Sequence, residues 1–98
     1  MEVMHRPVAG ATDGQTSGEA ELGAFGDGSF GVWEIGPGVS EDVEVDEVSV
    51  VLAGSGTVED LATGAVVRLE PGTVLRLAAG TRTRWTIRET LRKVYVVR

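Results

Sequence analysis

The 98-residue sequence has no cysteine, a single histidine, and only two tryptophans, two phenylalanines and one tyrosine. Without cysteine there are no disulfides, no thiolate zinc sites and no thiol nucleophile. The one imidazole, His5, lies in a Gly-, Ser- and Thr-rich N-terminal stretch and reads as a surface residue rather than a ligand. No run approaches the length of a membrane span. The opening Met1-Glu2-Val3-Met4-His5-Arg6-Pro7 has no apolar signal-peptide core, so a cytoplasmic protein with no membrane partner is expected. Basic residues are scarce where acids are dense. Residues 1–60 carry thirteen acids and one base, Arg6, whereas residues 61–98 carry two acids and eight bases. The net charge of −6 argues against nucleic-acid binding. The asymmetry itself has two readings. The halves interleave in one sheet and pair across it, or the basic half faces an anionic ligand.

Fourteen glycines punctuate short β-branched and apolar runs. The organising stretch is Leu69–Gly80, where Pro71-Gly72 launches the run Val74–Leu77 and Gly80 ends it before Thr83–Ile87. Turn, strand, turn and strand at this spacing are the signature of a small all-β fold. Upstream, Gly26-Asp27-Gly28 is a hairpin signal feeding Phe30–Ile35, with Gly36-Pro37-Gly38 as its stop. In that strand Phe30, Val32 and Glu34 share one face and Trp33 and Ile35 the other; Phe30 and Trp33 are expected in the core. The acidic run Glu41–Glu47 would repel itself inside a core, so most of it is expected to face water. Strand signal resumes at Glu47–Leu52. Gly54-Ser55-Gly56 reads as a turn, Thr57–Asp60 as a strand, and Ala62-Thr63-Gly64 as another turn. Ala65–Leu69 and Leu91–Val97 complete the set. Residues 1–22 show no period and read as a flexible N-terminal arm, with an edge strand near Val3 or Val8. Residues 23–98 then form one domain of about seven to nine strands, a sandwich or barrel. Strands such as Val48–Leu52 are apolar on both faces, and a chain this small buries only about 60–65% of its unfolded surface. A homodimer supplying the second cover is expected.

Gly31–Gly38 followed by Glu47 and Val51–Gly56, then Glu70-Pro71-Gly72, Leu77–Thr81 and Trp85-Thr86-Ile87, resembles the two halves of a cupin. The ending Glu89–Tyr95 is similar to the small cupins that group with ureidoglycine aminohydrolase and ethanolamine-utilisation cupins. The resemblance implies a double-stranded β-helix, or jelly-roll barrel. It also implies a place for a metal, held in cupins by histidines and one glutamate. Glu47 falls at the glutamate position, with six residues between it and Gly54. The first two histidine positions fall on Glu41 and Val43, or on Ser40 and Asp42, and Thr83 stands where the third would be. With all three imidazoles gone, a transition metal has no nitrogen donors, and neither metal nor other cofactor is expected. Oxygen ligation of a hard cation by the acidic run is a weaker alternative to a solvated turn.

If Glu47 points into the barrel, alternation takes Ser49 and Val51 with it. If Thr83 points inward, so do Trp85 and Ile87, leaving Arg82, Arg84, Thr86 and Arg88 outside. Lys93 and Tyr95 share a face of the last strand, and the pattern leaves open which face is inside. The candidate pocket is therefore Glu47, Ser49, Thr83 and Trp85, with Lys93 and Tyr95 joining if they face inward. Such an apolar cup with a few polar groups suits a small polar or anionic molecule; alternatively, these residues simply fill the barrel. Two function classes follow. One is a metal-free small-molecule-binding or accessory module. The other is a metal-independent enzyme, of lyase, isomerase or cyclase type, with Glu47 as catalytic acid or base.

Overall fold

Alternating exposure along short β-branched runs decides which segments become strands. In the computed structural model, which describes residues 17–98, seven strands form one antiparallel sheet that folds over on itself. They are β1 (Ser17–Phe25), β2 (Gly28–Ile35), β3 (Gly38–Val43), β4 (Glu47–Asp60), β5 (Val66–Leu69), β6 (Val74–Leu77) and β7 (Arg82–Val97). The expected all-β jelly roll is the observed fold. Among the described residues no helix is long and apolar enough to cross a membrane.

Two long strands, β4 and β7, run side by side and serve both halves of the barrel. The C-terminal part of β7 pairs with β2, and its Arg82–Ile87 part pairs with β3. Likewise the start of β4 pairs with β6 and its end with β5. Both strands are longer than expected from sequence. Gly54-Ser55-Gly56, read as a turn, lies inside β4, and Thr83–Ile87 and Leu91–Val97, read as two strands, are parts of β7. The physical reason is close approach. A Cβ at Gly54, where φ is +97°, would sit 2.2 Å from the Thr90 carbonyl oxygen, and one at Gly56 would sit 2.3 Å from that of Thr86. Only glycine lets the two backbones pass while bending together, and the β4–β7 register slips between Val51 and Gly56 to absorb the bend.

Two further elements depart from expectation. Residues 17–22, assigned from sequence to the flexible arm, belong to β1, which is zipped to β2 through the Gly26 hairpin. The expected edge strand near Val3 or Val8 lies outside the described residues. Gly38–Val43 is a strand although Glu41 and Asp42 fall in it, because its partner carries the opposite charge. Glu41 sits directly across from Arg84, and the two form an ion pair at 3.2 Å.

The core lies between the two halves, where Ile35, Val51, Val58, Leu69, Ile87 and Leu91 are buried together. Leu69 and Leu91 are fully enclosed, each contributing roughly 1.5–3 kcal/mol by burial. The opposite face of the β6–β4–β7–β2 layer is also apolar, with Val48, Val50, Leu52, Val74 and Val96 exposed. Charge follows the interleaved reading. Arg84–Glu41, Arg92–Glu34, Lys93–Glu47 and Arg98–Asp27 each join a base of the second half to an acid of the first.

Candidate functional site

The β4–β7 register puts Ser49 across from Tyr95 and Val51 across from Lys93, and the β2–β7 register puts Trp33 across from Lys93. With Ser49 and Val51 facing in, Lys93 and Tyr95 must face in as well. Both are buried, which settles the face that the sequence pattern left open. Thr83, Trp85 and Ile87 also point inward, while Arg82, Arg84 and Arg88 lie exposed outside.

These residues surround a cavity of about 560 Å³, open at one end of the barrel. Glu47, Trp85, Lys93 and Tyr95 line it, joined by Trp33 and Ile35 and by the inner face and end of β3. Of the other expected pocket residues, Ser49 and Thr83 face the interior but do not form the cavity wall. Ser49 Oγ is buried with no hydrogen-bond partner among the described residues. Trp33, expected in the core, is half-buried and forms part of the wall. Phe30, also expected in the core, is half-buried, with its ring beside Gly23.

The floor is built on Lys93. Its ammonium donates to Glu47 Oε2 at 2.6 Å and sits 4.7 Å from the ring centre of Trp33 and 4.8 Å from that of Trp85. The two indoles are themselves in contact, 5.7 Å between centroids and tilted by 55°. The lysine and glutamate side chains are only 6% and 10% exposed, so the cation is held by one carboxylate and two ring faces in a dry setting. Beside it, Tyr95 donates to Glu19 Oε1 on β1. Burial, then the bond to Glu19, then the charges of Glu19, Glu21 and Glu47 push the Tyr95 phenol well above its ordinary value, so it stays protonated and donates.

The third polar group is Glu44, which no sequence motif singled out. It follows β3, whose register sets Ser40 across from Trp85 and Asp42 across from Thr83. Of the two candidate registers for the lost histidines, Ser40 and Asp42 are thus the inward pair, and Glu44 continues their face. Glu44 Oε2 accepts from the Thr83 hydroxyl at 2.7 Å and from the Trp85 indole N–H at 3.1 Å. Its backbone is pinned as well, donating to the Thr81 carbonyl and accepting from Gly80 N–H, both at 2.8 Å. The signal that could have found it is Trp85, whose buried N–H needs an acceptor.

A metal does not fit this donor set. The retained glutamate is already bound to an ammonium, which would repel a dication, and the hydroxyl at the third histidine position is spent on Glu44. Among the described residues no three of His, Cys, Asp and Glu converge as ligands.

A small antiparallel jelly roll built on two long bent strands, with its cup opening at one end, defines a cupin. The EutQ-like cupin domain matches residues 22–95, and the chain belongs to that family. Among solved structures it is similar to the EutQ protein of Clostridium difficile, with 17% identity over 85% of this chain and 68% of that chain, and a TM-score of 0.70. A protein of unknown function from Rhizobium leguminosarum matches with 23% identity over 99% of this chain and 97% of that one, at TM-score 0.77. Ectoine synthase from P. lautus matches with 22% identity over 87% of this chain and 65% of that chain, at TM-score 0.68. At these identities the likeness is one of fold. Comparison with curated proteins gives no match.

Proposed function

We propose that this cupin is a metal-free module that binds a small polar molecule in the barrel cavity. The observation that carries the reading is the Lys93 ammonium, bound to Glu47 and covered by Trp33 and Trp85. It supplies the fixed positive charge at the glutamate that a metal would otherwise supply. The same contact counts against Glu47 as a general acid or base, because proton transfer would first require breaking a 2.6 Å ion pair. A cytoplasmic setting is part of this proposal, supported by the cysteine-free composition.

The test is a thermal-shift screen of small polar compounds against tag-free protein in the presence of a chelator, followed by elemental analysis. A compound that raises Tm with the chelator present supports the reading. Near-stoichiometric manganese, iron, nickel or zinc surviving dialysis, or binding that needs added metal, overturns it.

The module is proposed to work as a homodimer. Val48, Val50, Leu52, Val74 and Val96 make the outer face of four adjacent strands apolar. A second copy of the same face covers it with matching residues around a two-fold axis.

A further inference from the structure

We infer that the cavity selects a small primary ammonium carried on an apolar stem, and that Glu44 is the residue that recognises it. This inference rests on the binding reading above and adds the class of ligand. Among the described residues five carboxylates line the cavity, Glu19, Glu41, Asp42, Glu44 and Glu47, against one cation, Lys93. That cation is answered by Glu47 and Glu41 is paired outside with Arg84, which leaves Glu19, Asp42 and Glu44 without an ion pair among the described residues. An anion entering the cup meets unopposed negative charge, whereas a cation is drawn in.

Within that field Glu44 is the group shaped for contact. It is only 9% exposed. Oε2 takes both of its protein donors, and Oε1 makes no hydrogen bond among the described residues. Oε1 is open to the cavity, so an entering ligand N–H can reach it and form a charge-assisted bond without displacing a protein donor. The bonds from Thr83 and Trp85 and the two backbone bonds to the 80–81 turn hold the carboxylate in place, so little ordering is lost on binding. An N–H donor is favoured over a fully alkylated cation because the unsatisfied atom is a hydrogen-bond acceptor. The half-buried face of Trp33 and the side chain of Ile35 offer contact for the apolar stem.

The experiment follows the Trp85 indole N–H resonance at neutral pH while propylammonium, propan-1-ol and propionate are added separately to the full chain. Propylammonium is expected to shift it saturably and to bind roughly tenfold or more tightly than propan-1-ol, as a charge-assisted bond replaces a neutral one. Glu44→Gln is expected to bring the two within about threefold of one another, since it keeps shape and removes charge. If Glu44→Gln does not fold, the comparison of propylammonium with propan-1-ol on the wild-type chain decides alone. Equal or tighter binding of propan-1-ol or propionate overturns the cation assignment and leaves the binding module standing. An unchanged preference in a folded Glu44→Gln overturns the role of Glu44. Silence from all three probes overturns this inference, and only an empty chelator screen beside it overturns the binding reading too.

Discussion

Lys93→Met removes the ammonium and leaves the Glu47 carboxylate 10% exposed with no charge partner. Breaking a buried pair from one side costs about 3–5 kcal/mol, chiefly the uncompensated charge left behind. Two cation–π contacts go with it, each worth roughly 0.5–2 kcal/mol according to how dry it is. In a domain of this length about 1 kcal/mol moves Tm by 4–8 °C, so a drop of roughly 12 °C or more is expected. Glu47→Gln should cost less, because the amide oxygen still accepts from the ammonium, though it no longer neutralises it. The double variant Glu47→Gln/Lys93→Met removes both charges and should recover much of the loss, since no uncompensated charge is left buried. The assay is urea unfolding followed by tryptophan fluorescence. Both tryptophans of the chain flank the pair, so the signal reports the site itself. A coupling energy of about 1 kcal/mol or more between the two positions is expected. Single variants that each cost less than about 1 kcal/mol, with additive effects in the double, would refute the claim that the pair is a structural cation site.

Ser49→Ala should be neutral or stabilising by up to about 1 kcal/mol in the same assay, since it deletes a buried hydroxyl that has no partner among the described residues; a clear loss of stability would show that the hydroxyl is satisfied. Tyr95 titrates with a raised pKa, so its contribution is fully present below the ordinary value of 10.0 and is lost as pH climbs above it. It is the chain's sole tyrosine, so phenolate absorbance follows it alone; ionisation near the ordinary value, or an alkaline loss of stability unchanged in Tyr95→Phe, contradicts the Glu19 contact. Val50→Glu, placed in the middle of the outer apolar face, should convert a dimer of twice 10.3 kDa into a folded monomer by light scattering. A wild-type mass near 10.3 kDa removes the dimer.

The inward set Thr83, Trp85 and Ile87 was legible because strict alternation needs only one anchored position, and the lost third histidine supplied it. Lys93 and Tyr95 were not, because their side depends on whether β7 keeps its parity through the bend around Glu89, which is exposed between buried Ile87 and Leu91. Gly54 and Gly56 misled for a related reason. A glycine needed for a close backbone crossing looks the same in sequence as a glycine in a turn. Glu44 was hidden in an acidic run that local reasoning assigns to water. Its acceptor role exists only because Trp85, 41 residues away, brings an indole N–H to it. Faces set by alternation within one strand were accessible; contacts set by which strand lies opposite were not.

The pair and the ligand inference meet at position 93, and that meeting can be tested in one variant. With Lys93 present, Glu47 is neutralised and the charge of the cup is set by the acids around it, Glu44 foremost. Lys93→Met frees Glu47 and leaves two ring faces and a carboxylate arranged around the place the ammonium held. An added primary ammonium then has a second place to go, already shaped for one. Propylammonium should therefore raise the Tm of Lys93→Met by more than it raises that of the wild type, replacing part of what the substitution removed. Propan-1-ol should not do so, and Glu47→Gln/Lys93→Met should lose the extra response, because the charge that draws the cation is gone. An equal Tm response to propylammonium in Lys93→Met and wild type would mean that the Glu47 carboxylate and the two indoles do not hold a cation by themselves. Lys93 would then be kept in place by the fold around it rather than by the charge and rings it touches.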